Sequence, residues 1–168
     1  EDGYKIKVFN LVEMNFSNCY NPFQYIRDEA GVGILVDAFI SNTTAPEQKS
    51  SDPFWDKSER ALLSACIFYL IEFVPEEYQN FSTILKMVVK GQMDENAKVA
   101  VKSGLDKIFE GDAVLKNGEL FELSNPEEKK LMKEKLANSQ AWKNYQVFRL
   151  GGVRTLKSIL ISTAVRLN

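Results

Sequence analysis

The sequence contains no histidine and only two cysteines, Cys19 and Cys66, among its 168 residues. The absence of histidine excludes Ser-His and Cys-His nucleophilic catalysis and every zinc site that uses an imidazole ligand. Two cysteines are too few for a zinc site made of thiolates alone. Residues 151–158, Gly-Gly-Val-Arg-Thr-Leu-Lys-Ser, have the residue types of a phosphate-binding loop, but the residue immediately before Lys157 is Leu156 and not the glycine that such a loop needs there. These absences exclude most familiar hydrolase and metalloenzyme chemistries.

Long hydrophobic runs are also missing. The most apolar segment, residues 61–74, contains Ser64 and Glu72 and is shorter than the roughly 20 apolar residues that a membrane-spanning helix needs. We therefore expect this segment to be a core helix, with Cys66 as a small buried hydrophobic side chain. Cys19 lies in a polar loop. The two thiols could form a disulfide, but free thiols in a reducing compartment are favoured.

Composition and periodicity predict a mainly α-helical fold, a compact bundle of six or seven helices. Hydrophobic residues make up 45% of the chain, and 11 Phe, 6 Tyr and 2 Trp supply ample area for a core. Cap and breaker signals delimit the helices. The predicted ranges are 22–43 with a restart near 28, 53–74, 81–90, 94–109, 126–149 with a restart at 139, and 153–167. Residues 110–124 are predicted to form a loop or a short hairpin.

Apolar spacing predicts which side of two helices is buried. The first helix is expected to bury Ile34, Leu35, Ala38 and Phe39. The last helix is expected to bury Leu156, Ile159, Leu160, Thr163, Ala164 and Leu167.

In residues 4–12, apolar and polar side chains alternate at first, and most of the last residues are apolar. This pattern predicts a β-strand, the one convincing strand of the chain. Because a lone strand is not stable by itself, we expect it to pair with a part of a larger protein. The acidic start at Glu1, without an initiator methionine, favours the same interpretation.

Charge is distributed unevenly, although the formal net charge is only −2. Residues 1–128 contain 12 basic and 22 acidic residues, whereas residues 129–168 contain nine basic residues and one acidic residue. A basic C-terminal surface would suit a nucleic acid or an acidic partner, with Lys143, Arg149, Arg154 and Lys157 as the candidate residues. Alternatively, these side chains are solvated or lie against the acidic part of the same domain. The sequence leaves both interpretations open.

Three stretches resemble the TraG/TraD-like coupling proteins of type IV secretion, most closely the Gram-positive members. Residues 7–12 and 19–27 are similar to a family pattern v-f-N-L followed by y-N-P-f-x-Y-I. Residues 51–63 resemble D-P-F-W-x-K-x-E-x-A-L-L, and residues 155–167 resemble T-x-K-S-I-L-x-S-x-x-V-R-L. The stretches occur in the family's order and extend over nearly the whole chain.

The resemblance implies that residues 15–168 are the all-alpha domain of such a coupling protein and that residues 1–14 belong to its RecA-like motor domain. The ATP-binding loop and the acidic motif would lie outside this chain. We therefore expect no catalysis and no cofactor for these residues, with ATP and Mg²⁺ in the motor domain. The resemblance also implies a cytoplasmic domain of a protein anchored in the bacterial cell membrane.

The implied function is to dock the relaxase and accessory relaxosome proteins to the transfer channel. The alternative is contact with single-stranded DNA through the basic C-terminal helices. The parent motor domain is a further expected partner, and the isolated domain is expected to be monomeric.

Overall fold

The computed structural model describes residues 12–44, 53–91 and 102–168, together with Gly3, Ile6, Val8 and Asn10. These residues form seven α-helices and one two-stranded antiparallel sheet, which confirms the predicted mainly α bundle. The helices are α1 (Glu29–Thr43), α2 (Pro53–Phe73), α3 (Phe81–Lys90), α4 (Gly104–Phe109), α5 (Pro126–Ala137), α6 (Gln140–Arg149) and α7 (Val153–Leu167). The strands are β1 (Ala113–Lys116) and β2 (Glu119–Glu122). Short 3₁₀ helices occur at Met14–Phe16, Pro22–Tyr25 and Glu76–Tyr78.

Side-chain caps explain where four helices begin. The first backbone N–H groups of a helix have no partner within it, and an oxygen on the preceding residue can accept from one of them. Such oxygens belong to Asp28, Asn80, Asn125 and Ser139, which precede α1, α3, α5 and α6. The predicted starts of these helices are therefore confirmed, as is the end of α3 at Gly91.

Helix α2 lies at the centre of the bundle. Its side chains Leu62, Leu63, Cys66 and Leu70 have no exposed surface, and α1, α3, α6 and α7 all contact it. Helix α6 runs antiparallel along α2, because its first residue Gln140 bonds to Glu72 near the end of α2, while the turn after α6 lies beside the start of α2. A helix that is apolar on all sides is expected in such a central position. Both cysteines are free, and Cys19 is exposed.

The predicted buried side of α7 is confirmed, whereas that of α1 is wrong. Helix α1 buries Val32, Val36 and Ile40, and Ile34 is 70% exposed. Apolar residues occur all round α1, so their spacing did not select a side; packing on α2 selects it instead. Of the four residues predicted, Leu35 and Phe39 are partly buried, while Ile34 and Ala38 are exposed.

Helix α4 begins much later than predicted. The expected start at Asp94 lies outside the described residues, but Lys102 and Ser103 are described and are not helical. Ser103 and Asp106 form a reciprocal cap: the Ser103 hydroxyl oxygen accepts from the Asp106 N–H at 3.1 Å, and Asp106 Oδ2 accepts from the Ser103 N–H at 3.0 Å. This capping box starts a new helix at Gly104.

The predicted hairpin is present between α4 and α5. Its strands pair from Ala113 with Glu122 to Lys116 with Glu119. Asn117 and Gly118 form the turn with φ values of 53° and 73°, the left-handed region that a two-residue hairpin turn of this type requires. The inner face buries Ala113 and Leu115.

The strand predicted over residues 4–12 falls mostly outside the described residues. Those that are described there, such as Val8 and Asn10, have irregular backbone. Val8 and Asn18 exchange two hydrogen bonds of 2.7 Å, one from each backbone N–H. The predicted division of the chain at residue 14 stays a prediction.

Candidate partner-binding surface

The four basic residues predicted to bind a partner occupy different parts of α6 and α7. Lys143 is exposed near the start of α6. Burial raises the pKa of the nearby Glu72 carboxyl, and the positive charge of Lys143 partly opposes that rise. Arg149 is the last residue of α6. Arg154 and Lys157 lie one turn apart on α7, with Arg154 exposed and Lys157 partly exposed. The structure thus places Arg154 and Lys157 on one face of α7 and Lys143 on α6.

Arg149 pairs with a buried carboxylate of its own domain. Its Nη1 lies 3.2 Å from Oδ1 of Asp106, whose side chain is only 5% exposed. Tyr145 donates its hydroxyl proton to the same oxygen at 2.8 Å, and its ring stacks on Phe109 at 4.1 Å between centroids. Burial, together with the negative charge of Asp106, raises the pKa of Tyr145. These contacts attach α6 to α4, so Arg149 has a structural partner.

Arg166 is used in a second internal ion pair. Its Nε lies 2.8 Å from Oε1 of Glu59, a contact that joins α7 to α2, and both side chains are largely buried. Its Nη1 donates to the hydroxyls of Thr43 and Thr44 at the end of α1. Burial raises the pKa of Glu59, while the attraction of Arg166 partly opposes that effect. The Thr163 hydroxyl donates a hydrogen bond to Oε1 of Glu59 at 3.5 Å.

Lys133 makes a third internal pair, 3.1 Å from Oδ1 of Asp112 at the start of the hairpin. Lys102 lies 2.7 Å from the other oxygen of Asp112. Hydrogen bonding to Lys102, with a smaller contribution from Lys133, holds the pKa of Asp112 below its usual range. At least three of the nine C-terminal basic residues therefore pair with acidic residues of the N-terminal part. The predicted pairing within the domain is correct for these three.

Exposed apolar side chains cluster where α6 turns into α7, a feature that the sequence patterns did not reveal. Val147, Leu150 and Val153 are 54%, 82% and 59% exposed. Phe54 of α2 lies beside the same turn and is 41% exposed; a Cβ placed on Gly151 would lie 3.4 Å from its ring. We call Val147, Leu150, Val153 and Phe54 the α6–α7 surface. Val147, Leu150 and Val153 are spaced three residues apart, as core positions are, so only their exposure distinguishes them.

A groove lies between the hairpin and α5. Val114, Leu123, Leu131 and Met132 supply its apolar lining, with Lys116, Glu128 and Lys135 around them. Its volume of about 240 Å³ is below the range of roughly 300–1,000 Å³ that holds small ligands. The Lys116 ammonium lies 4.1 Å above the ring of Phe121 on the outer face of the hairpin. This groove is a second, smaller candidate for partner contact.

Two site classes are absent from the described part of the chain. Residues 12–44, 53–91 and 102–168 contain no cluster of three or more Cys, Asp or Glu side chains able to hold a metal ion. Within the same ranges, every helix is too short or too polar to cross a membrane.

Comparison with known proteins identifies the family. A family model described as "Type IV secretory system Conjugative DNA transfer" matches residues 1–145, which include every element up to most of α6. No curated protein matches the chain, and no solved structure matches it. The sequence resemblance to type IV secretion coupling proteins is confirmed, while the placement among Gram-positive members stays a prediction. Because the match covers most of the sequence, the chain belongs to the conjugative DNA transfer family of the type IV secretory system.

Proposed function

We propose that this chain is the substrate-recognition domain of a conjugative coupling protein, and that it docks the relaxase and accessory relaxosome proteins to the transfer channel. The observation that supports this function best is the α6–α7 surface. Leu150 is 82% exposed between two other exposed aliphatic side chains. Clustered exposed apolar side chains on a folded domain are typical of protein interaction sites.

The pairing of the basic residues also favours a protein partner over DNA. Arg149, Arg166 and Lys133 lie against acidic side chains of the same domain, which reduces the charge available to a phosphate backbone. A surface that follows single-stranded DNA combines a continuous positive groove with stacking aromatic side chains. The four side chains of the α6–α7 surface include one aromatic ring, that of Phe54, and no charged group.

We further propose that ATP hydrolysis belongs to the parent motor domain. ATP and Mg²⁺ would bind there, and residues 15–168 would form a cytoplasmic, monomeric domain of a membrane-anchored protein. The sequence lacks a phosphate-binding loop, which supports this division. ATP hydrolysis by the purified chain would contradict it.

Binding to the relaxosome tests the proposed function. The chain is immobilised, and the relaxase and each accessory protein of its own conjugative element are passed over it at near-physiological salt. We expect at least one of them to bind with a dissociation constant in the micromolar range or tighter. A relaxase from an unrelated conjugative element serves as the control. Failure of every relaxosome protein to bind would contradict the proposal.

DNA contact is the second candidate function, and the exposed Lys143 and Arg154 favour it. Reversing the charge of Lys143, Arg154 and Lys157 leaves the Arg149 contact with Asp106 intact. If these residues bind single-stranded DNA, the reversal weakens binding and flattens its salt dependence by roughly 0.7 in log–log slope per lost phosphate contact. Reversal of the exposed Lys130 on α5 is the matched control. Unchanged DNA binding in the triple variant would refute this candidate.

A further inference from the structure

We infer that the α6–α7 surface binds an acidic, amphipathic helical segment of a relaxosome protein. The inference rests on the proposed function and adds to it the place of contact and the chemistry of the partner. Three features of the surface support it: its apolar side chains, the charge of the two helices that carry them, and the spacing of the side chains.

The charge of α6 and α7 is of one sign. Residues 140–168 contain five basic residues and no acidic residue. Two of the five, Arg149 and Arg166, face buried carboxylates. Arg154 is exposed one position after Val153, and Lys143 is exposed one helical turn before Val147. A partner that contacts Val147 and Val153 therefore lies near two exposed cationic side chains, and acidic residues on that partner are complementary to them.

The apolar side chains are arranged as anchors for a helix. Val147 lies in the last turn of α6, Leu150 is the residue that caps the end of this helix three positions later, and Val153 begins α7 after three more; three residues of helix rise about 4.5 Å. An amphipathic helix presents its own apolar side chains at i, i+3, i+4 and i+7, a spacing of the same size. Burying three aliphatic side chains favours a protein helix, because phosphate and nucleotide bases gain little from contact with valine or leucine.

Exposed positions allow the surface to be changed without disturbing the core. The double variant Leu150→Ser/Val153→Ser removes two of the three aliphatic side chains, and Arg154→Glu reverses the adjacent charge. Ile34→Ser on α1 is the control for an exposed aliphatic side chain, since Ile34 is 70% exposed on another helix. Lys130→Glu on α5 is the control for charge reversal. Because all these side chains are exposed, we expect every variant to unfold at nearly the same denaturant concentration as the wild type.

The test uses intact relaxosome proteins and then labelled 20-residue peptides that together cover their sequences, with binding to the full chain measured by fluorescence anisotropy. We expect the peptides that bind to be acidic and amphipathic. Leu150→Ser/Val153→Ser and Arg154→Glu should each weaken their binding about tenfold or more, because each removes a contact with the partner. Ile34→Ser and Lys130→Glu should bind as the wild type does.

The outcomes separate this inference from the function on which it rests. If intact relaxosome proteins bind and the α6–α7 variants bind them equally well, the inference is wrong and the proposed function stands. If no relaxosome protein binds, both are wrong. If the bound peptides are basic, or if the α6–α7 variants lose affinity for single-stranded DNA instead of protein, the assigned partner chemistry is overturned.

Discussion

Substitution of Tyr145 by phenylalanine tests the buried contacts that hold α6 to α4. The change removes one hydroxyl, whose proton is donated to Asp106 Oδ1 at 2.8 Å, in a place where the two residues are only 2% and 4% exposed. A buried hydrogen bond to a carboxylate contributes roughly 1.5–3 kcal/mol to stability. For a domain of this size, that loss lowers the melting temperature by about 3–12 °C.

The assay is urea unfolding followed by tryptophan fluorescence and circular dichroism, with the free energy of unfolding compared between wild type and Y145F. Tyr25→Phe is the matched control because Tyr25 is 58% exposed, and we expect it to change stability by less than about 0.5 kcal/mol. If Y145F were as stable as this control, the Tyr145 hydroxyl would not contribute to the α4–α6 contact.

Three further predictions concern titratable groups. Burial raises the pKa of Glu59 above the usual 4.5, so the ionised form is less favourable in the folded than in the unfolded chain. The free energy of unfolding of the wild type, relative to E59Q, should therefore fall as pH rises above 4.5; a constant or rising difference would contradict this. For Asp112 the pH dependence of stability has the opposite sign, because the pKa of its carboxyl lies below the usual 3.8. D112N should cost roughly 0.5–1 kcal/mol at pH 7, and this cost should disappear as the wild-type carboxylate is protonated below about pH 3.8; a cost that persists in acid would refute the ion-pair explanation. Burial raises the pKa of the Cys66 thiol to about 12, whereas Cys19 is exposed. Ellman's reagent should therefore titrate one thiol in the folded chain and two in urea; rapid reaction of both thiols without urea would contradict the burial of Cys66.

Local chemistry made much of the fold predictable. Asp28, Asn80, Asn125 and Ser139 determine helix starts through hydrogen bonds that span two or three residues, so the sequence shows both partners at once. The Asn117-Gly118 turn is equally local. Predictions failed where distant residues decide the outcome, as in the buried side of α1, which depends on α2. The prediction for the start of α4 is wrong for another reason: the Ser103–Asp106 capping box is local, but it lies within a longer pattern that itself predicts a helix.

The candidate site was less predictable than the fold, because its defining contacts join distant residues. Arg149 pairs with Asp106, 43 positions earlier, and Arg166 pairs with Glu59, 107 positions earlier. No local spacing indicates that these two arginines have internal partners while Arg154 is exposed. Val147, Leu150 and Val153 follow the same periodicity as buried positions, and their exposure depends on how α6 and α7 lie against α2.

Hydrogen–deuterium exchange of the full chain, with and without its relaxosome proteins, tests the central claim most directly. The measurement compares exchange of backbone amides at every described helix in the free and bound states. We predict slower exchange in the bound state over residues 147–157, where α6 turns into α7, and unchanged exchange in α1 around Ile34. Unchanged exchange over residues 147–157 in a complex that demonstrably forms would contradict the account, as would protection of that segment by single-stranded DNA but by no relaxosome protein.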